Sequence, residues 1–125
     1  MERRSDQAVY LIVLKHVVVA EDLAQIIADF DAAAKIVQVR DTAAAVQAVR
    51  GIEALRLAFL IDDRHVDGWT DLVSAIGARG GRVVLIPRSD RLRAAPFDDC
   101  LILERPFTTE MVQATLEAAF RPPYV

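Results

Sequence analysis

Three features of the sequence predict an α/β fold built on a parallel five-stranded sheet. Apolar runs of strand length alternate with helical patterns five times along the chain. Each run is apolar throughout, which is typical of strands buried on both faces of a parallel sheet. The 125 residues are 54% hydrophobic, which is enough for a substantial core. Right-handed crossovers then favour the flavodoxin-like strand order 2-1-3-4-5, a (βα)5 three-layer sandwich.

The elements of the first half are marked by residue spacing and by end signals. The first strand is predicted over residues 8–14. A helix follows over residues 19–30, where apolar residues recur three and four positions apart. The second strand is predicted over residues 35–39. Asp41 is a good N-cap for the alanine-rich helix that comes next, and Gly51 ends that helix.

The second half continues the alternation with one irregular interval. Between residues 87 and 99 the sequence allows at most a short helix over 89–95, which Pro96 would end. The other predicted elements are a strand over 55–61, a helix from Gly68 to Gly80, strands over 82–86 and 101–103, and a last helix that begins after Thr108.

Composition and charge exclude several functional classes. The net charge of −3 would not attract nucleic acid, and no aromatic residues interleave with the five arginines between positions 79 and 93. Lys15 interrupts the longest apolar stretch, so no membrane helix is expected. The single cysteine, Cys100, cannot form an internal disulfide, which suggests the cytoplasm. We expect one domain over residues 1–125, with tails at 1–7 and 121–125.

The flanks of the first and last strands carry a resemblance to a known family. The first strand ends in Leu14-Lys15-His16, and Arg105-Pro106-Phe107 follows the last. The entry to the first helix, Val19 to Leu23, and the Asp67-Gly68 turn add to the pattern. From about Val9 to Phe120, the chain resembles the receiver domain of bacterial two-component response regulators, the CheY-like family.

In receivers, an acidic pair after the first strand and an aspartate after the third hold Mg²⁺, and that aspartate accepts a phosphoryl group. The resemblance implies that Asp62 occupies the acceptor position, with Asp63 as the alternative. Leucine offers no ligand and an ammonium group repels Mg²⁺, so we expect a degenerate site without bound Mg²⁺. By the same resemblance, Leu14 and Lys15 stand where receivers carry the acidic pair, and Pro87 stands where they carry a serine or threonine. Arg105 stands at the position of the family's lysine, and Ile102 at that of its aromatic switch residue.

One hypothesis for the altered site is that internal cations replace the metal. Lys15 and Arg105 would both pair with Asp62 and neutralise its carboxylate permanently. The alternative is that Lys15 simply points into water from the end of its strand. Unchanged thermal stability of Asp62→Asn at all pH values would exclude the pairing.

Other chemistry is less well supported by the sequence. Asp62, Asp63, His65 and Asp67 crowd one loop, yet they lack a repeated ligand spacing, and loops before helices are commonly acidic. We therefore predict no metal site. The turn over residues 15–20 contains no glycine, so backbone amides could not closely approach a pyrophosphate. No catalytic motif is present, and an enzyme is not predicted.

The sequence thus predicts a stand-alone, degenerate receiver domain that acts in two-component phosphorelay signalling as a protein-interaction module. We expect no output domain after Pro122 and no need for aspartyl phosphorylation. Two alternatives stay open, a phosphorylatable receiver that uses Asp62 with an atypical metal site, and a flavodoxin-like small-molecule-binding domain or enzyme.

The expected partner is a histidine kinase, a phosphotransferase or another signalling protein. A homodimer is also possible, through the face that the fourth helix, fifth strand and fifth helix form in this family. Candidate contact residues are Arg88, Arg91, Arg93 and Phe97, together with the exposed side of the last helix over residues 111–118.

Overall fold

A computed structural model describes residues 8–61, 66–87, 100–104 and 107–120, and for Phe120 its backbone alone. The strands form one parallel sheet in the order β2-β1-β3-β4-β5, which confirms the predicted fold class. The elements are β1 (Val9–Val13), α1 (Val17–Phe30), β2 (Lys35–Val39), α2 (Thr42–Arg50), β3 (Leu57–Ile61), α3 (Trp69–Ala78), β4 (Arg82–Ile86), β5 (Leu101–Ile102) and α4 (Thr109–Phe120).

The sheet separates two apolar cores, as a three-layer sandwich requires. Alternate residues of each inner strand point to opposite faces. Phe59 belongs to the core that α1 and α4 cover, whereas its neighbour Leu60 belongs to the core under α2 and α3. Both side chains are almost fully buried. The continuous apolar runs of the sequence therefore reflect strands that are covered on both sides.

Several element boundaries differ from the sequence prediction, and for two of them the physical reason is clear. Helix α1 begins at Val17, two residues early, because the Ala20 amide already donates to the His16 carbonyl at 2.9 Å. Its first two residues are exposed, so they lie outside the apolar stripe that predicted the helix. Strand β3 begins at Leu57 because the Leu55 amide donates to the Arg79 carbonyl at 3.1 Å, outside the sheet.

The predicted helix caps are confirmed at two positions. The Asp41 side chain accepts from the Ala44 amide at 2.8 Å, and Thr108 Oγ1 accepts from the Met111 amide at 3.1 Å. Both satisfy amides that the first helical turn leaves without a partner. The two tails and the short helix expected over residues 89–95 lie outside the described residues.

No helix in the described ranges is both long and apolar enough to cross a membrane.

Candidate functional site

The carboxyl edge of the sheet is where the fold predicts a site, because there the strand order reverses between β1 and β3. Val13 of β1 pairs with Leu60 of β3, and Ile61 pairs with Ile86 of β4. Leu14 and Pro87 follow these paired residues directly. The structure therefore brings the ends of β1 and β4 to the two sides of β3.

Leu14 lies just after β1 and continues, for one more residue, the alternation of its side chains between the two faces of the sheet. Its amide donates to the Val39 carbonyl at 3.1 Å, which continues the contact with β2. Its side chain is only 6% exposed and packs in the same core as Tyr10 and Ile12. A core leucine therefore occupies the position where the resemblance expects one of the two acidic residues.

Lys15 and His16 are both exposed and form the short connection from β1 to α1. His16 is the N-cap residue of α1, and it has an extended backbone and no hydrogen bond from its side chain to the helix. Because Lys15 is exposed, an ion pair made by its ammonium group would be a surface pair, worth about 0–1 kcal/mol.

The entry to α3 has the turn geometry that its sequence predicts. Gly68 has a φ of +93°, in the left-handed region that glycine adopts without strain. It is the N-cap residue of α3, and its carbonyl accepts from the Leu72 amide at 2.9 Å. Asp67, just before it, is exposed.

The fourth and fifth strands end without the hydroxyl or the aromatic residue found in the family pattern. Pro87 is half-buried and has no side-chain donor. Ile102 is half-buried, pairs with Leu85 of β4 and packs against the core under α2 and α3. The acceptor candidates Asp62 and Asp63, the cation Arg105 and the surface residues Arg88, Arg91, Arg93 and Phe97 lie outside the described residues.

The residues that end β1 do not fit a receiver-type Mg²⁺ site. Mg²⁺ requires oxygen ligands in near-octahedral positions, whereas Leu14 offers none and Lys15 carries a positive charge. Across the described part of the chain, no group of three or more His, Cys, Asp or Glu side chains is placed to hold a metal ion.

The sequence analysis did not predict that large apolar side chains are exposed at this edge. Val17 is 54% exposed, Val18 72% and Val66 36%, and these are the exposed large hydrophobic residues of the described chain. All three follow β1 or β3, which are neighbours in the sheet. We call them the edge valines. The signal that was available is the Val17-Val18-Val19 run, which is too long for one stripe of a helix.

Comparison with known proteins supports the class of fold. No family model matches the chain, and no curated protein matches its sequence. A receiver domain protein from Bacillus halodurans has a TM-score of 0.72 at 13% identity, over 94% of this chain and 100% of its own. The PhyR receiver domain of Erythrobacter litoralis has a TM-score of 0.72 at 16% identity, over 95% and 97%.

A receiver protein from Sinorhizobium medicae gives a TM-score of 0.67 at 21% identity, over 91% of this chain and 98% of its own. These proteins are response regulator receiver domains by name, and this chain has their fold. Identities of this size relate the folds alone.

Proposed function

We propose that this chain is a degenerate receiver-like signalling module that acts by binding another protein and does not depend on aspartyl phosphorylation. The observation that carries the proposal is the residue pair that ends β1. Leu14 is packed in the core, and Lys15 is an exposed cation. Phosphoryl transfer uses a divalent cation to offset the negative charge that develops during the reaction. Neither the Leu14 nor the Lys15 side chain offers that cation an oxygen ligand.

The edge valines support protein contact as the means of signalling. Large exposed apolar side chains mark interaction sites when they form a contiguous patch. Here they lie at the same edge of the sheet as the altered receiver positions. The partner class that suits a receiver fold is a signalling protein of a two-component phosphorelay, a histidine kinase or a phosphotransferase.

A second contact surface is proposed on the face of β5 and α4. The solvent side of α4 carries Glu110, Ala114, Glu117 and Ala118, whereas Met111 packs against the core. A homodimer through this face would be seen as a concentration-dependent mass in sedimentation equilibrium.

Intact mass after incubation with acetyl phosphate and Mg²⁺ tests the proposal. We expect no phosphoryl adduct on the wild-type chain under conditions that fully modify an ordinary receiver. An adduct that disappears in Asp62→Asn would show a working acceptor and overturn the proposal. An adduct that disappears only in Asp63→Asn would overturn it as well and would move the acceptor by one residue.

Lys15→Asp supplies a matched gain-of-function variant. Lys15 is exposed, so the new carboxylate does not enter the core. We expect this variant to bind Mg²⁺ more tightly than the wild type in a calorimetric titration, since it replaces a repelling charge with an oxygen ligand. Native mass spectrometry of the purified protein completes the test, because a retained small molecule would favour the small-molecule-binding alternative.

A further inference from the structure

Strand β2 is the outermost strand on one side of the sheet, and within the described residues its only partner strand is β1. The Lys35 amide donates to the Ala8 carbonyl at 2.9 Å, toward β1. The backbone groups of successive strand residues point to opposite sides, so Ile36 and Gln38 turn theirs away from β1. Outward amides and carbonyls of this kind can pair with a strand of another chain. We call residues 35–41 the β2 edge.

The side chains of β2 suit a strand that has neighbours on both sides. Ile36 is half-buried and packs against the core that α1 and α4 cover. Val37 and Val39 are also half-buried and pack against the core under α2 and α3. These β-branched residues favour a pleated, covered surface. A second strand laid along β2 would therefore cover the open rims of both cores.

One antiparallel register of β2 against β2 of a second copy places complementary side chains opposite each other. In this register the facing residues are Gln38 and Gln38, Val37 and Val39, Ile36 and Arg40, and Lys35 and Asp41. Valines thus face each other beside the core under α2 and α3, and a cation faces an anion at each end of the paired strands. A two-fold axis through Gln38 relates the two copies, so the pair of Lys35 with Asp41 occurs twice.

Other registers lose this match of charges. A slip of two residues is the smallest that keeps the outward backbone groups facing each other, and in either direction it places Lys35 or Asp41 opposite a valine. Both charged residues are exposed, and the backbone of Asp41 is extended, with φ −148° and ψ 173°. Asp41 Oδ1 caps α2 by accepting from the Ala44 amide, and a carboxylate has a second oxygen that can accept from an ammonium group.

We propose that two copies of this chain associate through the β2 edge, in the antiparallel register centred on Gln38, and form one continuous sheet. This inference goes beyond the proposed function, because it uses neither the carboxyl edge of the sheet nor the face of β5 and α4. Strand β2 has five residues, so the interface is small and the dimer forms at high protein concentration.

Cysteine crosslinking of the full chain tests the register. Gln38→Cys in a Cys100→Ser background places two thiols opposite each other, with about 5.5 Å between Cα atoms, which a disulfide can span. Lys35→Cys in the same background is the matched control, because the two copies of residue 35 lie at opposite ends of the paired strands. We expect a disulfide-linked dimer for Gln38→Cys and a monomer for Lys35→Cys under mild oxidation. Equal crosslinking of both variants, or none at position 38, would overturn the proposal.

Charge reversal tests the contact of Lys35 with Asp41 by sedimentation equilibrium. Lys35→Glu places carboxylates opposite each other at both ends of the paired strands and should weaken self-association about tenfold. Adding Asp41→Lys restores the pair with its signs exchanged, so the double variant should regain the dimer. It also removes the cap of α2, and circular dichroism checks that it folds. Arg50→Glu is the control, since Arg50 is exposed at the end of α2, outside the β2 edge.

Three results of the sedimentation experiment would overturn the proposal. The first is a wild-type chain that stays monomeric up to its solubility limit. The second is equal weakening by Lys35→Glu and Arg50→Glu, or a folded double variant that does not recover. The third is a dimer that Lys35→Glu leaves unchanged, which would assign self-association to another surface, such as the face of β5 and α4.

Discussion

Arg79, the residue that ends α3, donates its Nε–H to the backbone carbonyl of Ile52 at 2.8 Å. Its own carbonyl accepts from the Leu55 amide at 3.1 Å. The end of α3 thus holds the segment between α2 and β3 at two points. This contact sets where β3 enters the sheet.

Arg79→Ala should lower the free energy of unfolding by about 1–3 kcal/mol, because it leaves two carbonyls without their charged donor. Urea unfolding followed by Trp69 fluorescence measures the change. Arg50→Ala is the control, because this arginine is exposed at the end of α2. The same loss in both variants would mean that the contact with Ile52 contributes nothing specific.

Asp41→Ala should cost about 1 kcal/mol of unfolding free energy, because the Ala44 amide loses the carboxylate that caps α2. Asp41→Asn should retain most of the stability, since the asparagine oxygen can still accept. Asp22→Ala, on the exposed side of α1, is expected to change stability by less than about 0.5 kcal/mol. Thermal and chemical unfolding both measure these differences. A loss in Asp41→Asn as large as that in Asp41→Ala would contradict the capping role.

Leu60→Ala and Val18→Ala compare the contribution of a core residue with that of an exposed residue at the carboxyl edge of the sheet. Leu60 is 1% exposed in the middle of the sheet, so its truncation should cost about 2–5 kcal/mol. Val18 is 72% exposed, so its truncation should change stability by less than about 0.5 kcal/mol. Under the proposed function, Val18→Ala should instead weaken partner binding. Pull-down with purified candidate partners checks this, and unchanged binding would argue against the edge valines as the contact.

Tyr10 should make stability sensitive to alkaline pH. Burial raises its pKa from 10.0 to about 12; the Asp31 carboxylate adds to the rise, and Arg56 opposes it. Within the described residues, the Tyr10 hydroxyl has no hydrogen-bond partner, so burial and nearby charge account for its raised pKa. The folded chain holds this proton more tightly than the unfolded chain. The free energy of unfolding should therefore fall as the pH rises from about 10 to about 12.

Tyr10→Phe provides the control for that prediction. The variant keeps the ring in the core and removes the titrating group, so its unfolding free energy should fall less over the same pH range. Urea unfolding of both chains at several alkaline pH values gives the comparison. Parallel curves would show that other groups, such as the lysines, account for the whole dependence.

Much of the fold could be predicted from local patterns in this chain. Asp41 and Gly51 bound α2 because a capping carboxylate and a helix-ending glycine act within a few residues of themselves. The apolar run over β4 predicts a strand covered on both faces, and the structure buries Val83, Val84, Leu85 and Ile86. That the side chains of Leu14 and Lys15 offer no oxygen ligand to Mg²⁺ could also be predicted, because it depends only on residue type.

The sequence by itself determined the order of the elements, their caps and the absence of carboxylates directly after β1, because these depend on neighbouring residues and on side-chain chemistry. Only the tertiary structure decided that Leu14 packs in the core and that Arg79, at the end of α3, contacts Ile52 and Leu55 in the segment before β3. These are contacts between segments far apart along the chain. No local pattern records them, because they arise only when crossover connections bring the strand ends to a common edge.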